Sequence, residues 1–233
     1  MKRVLLGVAV VVLALGGALA WWTSRSEAPA ALSIDGVEAV GGVADVAELD
    51  GTWRVEADPD TIAGMRILEE RAGAIPDHTA VGRTGEVTGS LEVAGGAVTS
   101  GSFTVDLTSI EFTDDPGLPV ADRSAYLRTR ALETDDFPEA TFELTEPIAL
   151  DDLDEAGAAD GIAAVGTLVL HGVDRPMTIA VDVRAEGDRV VLATSEPVAV
   201  RLPDHDIEPP EIPGVATVTD EGSFEFVVVL RRA

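Results

Sequence analysis

Three histidines, His78, His171 and His205, and a short list of arginines are the residues of this chain best suited to chemistry. Cysteine is absent, which removes thiol catalysis, zinc ribbons, disulfides and lipidated cysteine together. Lys2 is the single lysine, so no Walker-type phosphate loop exists, and neither a G-x-S-x-G elbow nor an H-E-x-x-H pattern occurs. His171 closes the stretch GTLVLH at a turn and reads as a rim residue packing on its neighbours, with a ligand or acid/base role as the alternative. Asp204, His205 and Asp206 resemble a metal site superficially. Adjacent residues of an extended chain point to opposite faces, so the two carboxylates can converge while His205 turns away, and Pro203, Pro209 and Pro210 mark a surface loop. The acidic run from Asp152 fails as a calcium loop, because Ala156 and Ala163 stand where oxygen ligands are required. No metal or cofactor is therefore expected. Arg123, Tyr126 and Arg130 share a face at helical spacing, with Arg128 beside them. They form a local basic spot suited to an anionic headgroup, or alternatively to surface ion pairs with the abundant acids.

Those residues belong to a strongly acidic chain. Its 233 residues carry Lys+Arg 16 against Asp+Glu 42, a formal charge of −26, which excludes a general nucleic-acid binder. Paired carboxylates such as Asp135 and Asp136 carry no glycosidase signal in so acidic a composition, and aromatic content of 4% leaves little for a sugar cleft. A hydrophobic content of 46% is too high for a disordered acidic chain. Met1, Lys2 and Arg3 lead into an apolar run over residues 4–22 that ends at Trp21 and Trp22. As a helix it would rise about 28 Å, close to the hydrocarbon thickness of a bilayer. We read 1–25 as a membrane anchor with the positive charges inside. The alternative is a cleavable signal segment cut after Ala18, Leu19 and Ala20. Either reading places the remainder outside the cytoplasm, as a single-pass membrane protein or as a secreted one. Residues 26–50, rich in Ala, Gly, Val and acids and without periodicity, are expected to be a flexible tether.

From residue 51 to 233 the pattern changes to period two. Phe103, Val105 and Leu107 alternate with polar residues, as do Phe142 and Leu144, and Met177, Ile179 and Val181. β-Branched or aromatic runs continue around Val190, Val198 and Phe224 to Phe226. Gly95-Gly96 and Glu186-Gly187-Asp188 punctuate hairpins. Residues 121–132 break the rhythm and predict one short helix, with Asp122 as its N-cap. About eight or nine antiparallel strands and one helix make an all-β barrel or sandwich.

Three blocks resemble the YceI-like family of exported proteins. The most specific is GTLVLHGVDRPMT, from Gly166 to Thr178. A second comprises Thr108-Ser109, Arg123, Tyr126-Leu127-Arg128 and Phe137-Pro138-Glu139-Ala140-Thr141-Phe142. The weakest joins Val81-Gly82-Arg83-Thr84 to Gly89-Ser90-Leu91. Ser124 and Tyr126 depart from the family pattern, as do Glu69 and Glu70. The resemblance implies an extended antiparallel lipocalin-like β-barrel of about eight strands over 51–233, with one short helix, preceded by the N-terminal membrane helix. It further implies non-catalytic binding of a polyisoprenoid or other long-chain amphipathic lipid in the interior, at the outer face of the membrane. The candidate inner wall is Phe103, Val105, Leu107, Phe142, Leu144, Leu168, Leu170, Met177, Ile179, Val181, Phe224 and Phe226, and the candidate headgroup residues are Arg123, Tyr126, Arg128 and Arg130. The rival expectation is a filled barrel that serves as a cell-envelope or stress-related interaction module without a lipid.

Overall fold

The computed structural model describes residues 28–40, 48–73, 77–116, 122–154, 157–212 and 216–233. Fourteen strands form one antiparallel sheet, and most of them join end to end into longer staves. β1 (Gly51–Val55) continues into β2 (Ile62–Arg71), β3 (His78–Thr84) into β4 (Val87–Ala94), and β5 (Ala97–Asp106) into the short β6 (Glu111–Phe112). β7 (Glu139–Leu144) continues into β8 (Ile148–Ala149), β9 (Ala158–Leu170) and β10 (Val173–Glu186) are uninterrupted, and β11 (Arg189–Thr194) runs into β12 (Val198–Arg201). The short β13 (Glu211–Ile212) and the long β14 (Ala216–Arg232) complete the set. Each stave pairs with the next in sequence, and β14 closes the ring on β1 and β2, giving an eight-stave up-and-down barrel. Closure leaves no stave at an open end of the sheet, which an all-β chain must otherwise protect.

The interruptions have local causes. Trp53 faces Arg232 and Val55 faces Leu230, but Ile62 faces Val227, so four extra residues bulge from the first stave. Thr61 holds that bulge in place, its Oγ1 accepting the Val229 N–H at 3.1 Å. Alternation then sorts the side chains. Val87, Val93, Val98, Val190, Val228 and Leu230 pack inward around Trp53. The predicted helix is shorter than 121–132 and widens in its second half. α1 (Arg123–Tyr126) is followed by a π-helical stretch, Leu127–Ala131. The Asp122 side chain caps α1 by accepting the Ala125 N–H at 3.1 Å, as expected.

The outer wall holds a feature that composition did not suggest. Val191, Ala193, Val227 and Val229 point away from the interior, yet all are buried. Residues 28–40, within the stretch expected to be a tether, lie over them, with Leu32, Ile34 and Val37 supplying the cover. Arginines fix this strap through its carbonyls: Arg66 holds Pro29, Arg83 holds Ala30, Arg184 holds Val37 and Arg189 holds Glu38. Glu225, 1% exposed, accepts from the Leu32 N–H and from Arg83. No helix among the described residues is long and apolar enough to cross a membrane. The expected membrane helix over 1–25 lies outside the described residues.

Candidate functional site

The inward faces of the staves enclose an apolar cavity of about 270 Å³ that runs nearly the length of the barrel. Near one end it is bounded by Leu49, Trp53, Leu150 and Val190. Near the other it is bounded by Leu107, Ile110, Leu132, Leu202 and Ile207. Trp53 is 1% exposed and donates its indole N–H to the Leu49 carbonyl at 2.8 Å, so a fixed aromatic ring stands at the first end. The described part of the connection between β6 and β7 lies at the second end, where Leu127 is buried and Leu132 faces the cavity.

Of the twelve residues predicted for the inner wall, eleven line this cavity. Met177 does not; it packs instead against the neighbouring Ala164, Ile179 and Val181. Sequence parity missed the terminal contributors Leu49, Leu132, Leu150 and Ile207, which sit in loops where alternation gives no guide. The room inside has a local cause. A Cβ on Gly166 would collide with the ring of Phe142 and the Glu143 carbonyl, so this glycine lets Phe142 lie flat along β9 instead of filling the lumen.

The polar groups gather at the second end, in two junctions that hold the β6–β7 connection. His78, at the start of β3, places Nε2 2.6 Å from the Asp114 carboxylate, which also accepts the Val81 N–H at 2.8 Å. Arg123 donates to Asp114 at 2.8 Å and to Glu69 at 3.2 Å, with its guanidinium 4.1 Å from the Phe112 ring centroid. Burial works against ionisation of Asp114, but the Val81, His78 and Arg123 hydrogen bonds outweigh it and hold the carboxyl below its usual value. In the second junction His171 sits at φ 52°, with Nδ1 3.2 Å from the His205 carbonyl and Nε2 3.1 Å from the Glu133 carboxylate. Phe137 stacks on it with ring centroids 4.1 Å apart. His171 is thus the packed rim residue of the sequence reading. His205 is 3% exposed while Asp204 and Asp206 are exposed, because the turn Leu202–His205 folds the histidine back against the barrel. Neither histidine lines the cavity. Among the described residues no cluster of His, Asp and Glu is arranged to hold a metal ion.

The four headgroup candidates are dispersed by these junctions. Arg123 is engaged as described, and Arg128 donates to the Ile110 carbonyl at 2.9 Å and lies near Glu111. Tyr126 and Arg130 stay exposed on the connection. None of the four lines the cavity.

Comparison with known proteins agrees with this architecture. The model of the YceI-like domain matches residues 68–230. Among solved structures, a polyisoprenoid-binding domain from Saccharophagus degradans implicated in plant cell wall breakdown superposes with a TM-score of 0.53 at 17% identity, covering 78% of this chain and 98% of that one. Burkholderia cenocepacia BcnA superposes with a TM-score of 0.54 at 14% identity, covering 75% of this chain and 98% of that one. At such identities the likeness is one of fold. No curated protein matches the chain. With the family match spanning most of the barrel, and the barrel and its cavity built as described, the chain belongs to the YceI-like family.

Proposed function

We propose that this protein binds a polyisoprenoid or another long-chain amphipathic lipid inside the barrel, without catalysis, on the outer side of a membrane. The observation that carries the reading is the continuous apolar cavity, whose volume of about 270 Å³ approaches the lower end of the ~300–1,000 Å³ usual for ligand pockets. Each methylene taken from water into such a wall contributes about 0.8 kcal/mol, so a chain of ten or more carbons supplies ample gross affinity without any polar anchor. The relative described as polyisoprenoid-binding supports the choice of ligand class. The apolar run at 4–22, as anchor or as signal, supports the location. Purification from membranes followed by solvent extraction and mass spectrometry is the direct test. A long-chain lipid in near-stoichiometric amount is expected, whereas an empty, lipid-refractory barrel would refute the reading. N-terminal analysis of the mature protein separates anchor from cleaved signal.

A further inference from the structure

The ladder of the barrel wall stops at two prolines. Between β7 and β9 the register runs from Thr141 opposite Val169 to Leu144 opposite Gly166, and the Thr145 N–H then donates to the Val165 carbonyl at 2.9 Å. The same register carried on sets Pro147 opposite Ala163, and proline has no N–H to donate. The chain bends at Glu146, and β8 resumes pairing with β5 alone. On the facing side β9 bulges, since Asp160 and Gly161 together oppose Asp182 while Gly161 takes φ 68°. Residues 158–164 of β9 therefore pair with β10 and, among the described strands, with none on the β8 side.

The second stop is similar in cause and different in content. The Ser195 N–H donates to the Ala180 carbonyl, and the β10–β11 register continued from there sets Pro197 opposite Thr178. There Met177 and Val198 pack into the neighbouring core and neither lines the cavity, while Arg175 bridges to the Asp204 carbonyl at 2.8 Å. At the Pro147 stop Leu144 and Ile148 join the same apolar cluster, but here the flanking side chains also face the cavity. Leu144, Ile148 and Ile162 flank it, each is only partly buried, and all three line the cavity.

We propose that the slot between β8 and β9, opened by Pro147, is the side door through which the apolar chain of the ligand enters and leaves. The inference rests on the lipid-binding reading. The fixed ring of Trp53 stands at one barrel end and the histidine junctions of the β6–β7 connection at the other, whereas the slot is lined toward the cavity by the apolar Leu144, Ile148 and Ile162. A lateral path also suits a long flexible chain, which can thread in sideways instead of passing a rim held by polar junctions. Glu146 and Asp160 flank the slot, so an uncharged isoprenoid alcohol is the appropriate probe.

The test is exchange of a fluorescent long-chain isoprenoid alcohol, measured by stopped flow on the full chain in detergent. Pro147→Thr restores the missing donor and is expected to slow both uptake and release about fivefold, the effect of one ladder hydrogen bond, with little change in equilibrium affinity. Pro197→Thr is expected to leave both rates unchanged. Because the chain has no cysteine, Ala163→Cys labelled with a bulky maleimide places an obstruction beside the slot without repacking the core, and it too is expected to slow exchange. The same label on Thr129→Cys, exposed on the β6–β7 connection, is expected to have no effect. Unchanged rates in both Pro147→Thr and labelled Ala163→Cys, or slowing confined to Pro197→Thr or the Thr129 label, would overturn the slot while leaving lipid binding intact. A wild-type chain that takes up no probe overturns the lipid-binding reading and the slot with it.

Discussion

Asp114 and Gly166 show how single residues control this barrel from opposite ends of the polarity scale. The Asp114 carboxylate joins β3 to the β6–β7 connection through His78, Val81 and Arg123. Its side chain is fully buried in those pairs, so Asp114→Ala should cost about 3 kcal/mol in chemical denaturation by stranding His78 and leaving Arg123 with Glu69 alone. Because its folded pKa lies below the unfolded value near 3.8, this contribution is complete above that value and disappears as pH falls through the folded one. Acid unfolding of the wild type should therefore steepen below about pH 4, and the Ala variant should lose that part of the acid dependence. Gly166→Val should act on the lumen, driving Phe142 off the β9 backbone and into the cavity. A loss of about 1–3 kcal/mol together with reduced lipid occupancy by mass spectrometry is expected. Neither role could be read from sequence. Arg123 fell on a plausible basic face, but its partner Glu69 comes from distant β2 and Asp114 from the start of the same connection, and only the fold shows that they capture it first.

Elements were more legible than site residues, for a physical reason. Period-two alternation survives wherever one face is dry, so Phe103, Val105, Phe142, Leu144, Leu168 and Ile179 could be assigned inward from pattern alone, and the paired glycines at 95 and 96 set a hairpin. The pattern failed where both faces are buried. Val227, Val228, Val229 and Leu230 read as a continuous apolar run, and the reason appears only with the strap: the outward members are covered by Leu32, Ile34 and Val37. Residues 28–40 gave no periodic signal because only three side chains make the contact, while their carbonyls meet arginines distributed along the later sequence. A chain beginning at Glu48 should accordingly expose Val191, Ala193, Val227 and Val229 as one patch. We expect a lower denaturation midpoint and self-association by light scattering, and Glu225→Gln in the full chain should weaken the strap in the same direction by a smaller amount.

At the scale of the whole molecule, acidic exterior and apolar interior are separate designs on the two faces of one sheet. The charge of −26 keeps the shell solvated, and a ligand held as proposed would meet only the apolar inner wall. A ligand bound only by the folded barrel must stabilise it. At a free concentration one hundred times its Kd the gain is about 2.7 kcal/mol, so stripping the lipid should lower the Tm and reloading a long-chain isoprenoid should restore it. The strap bears on this arrangement through simple reach. A free spacer over 26–50 could let the barrel wander some 80 Å from whatever holds Arg25, at ~3.3 Å per residue. With Pro29 fastened to Arg66 on the barrel wall, only Ser26, Glu27 and Ala28 lie between, and the leash shortens to about 13 Å. A protein secured at Arg25 would thus be a moored vessel with its flank always at the quay, free to roll a little but unable to sail.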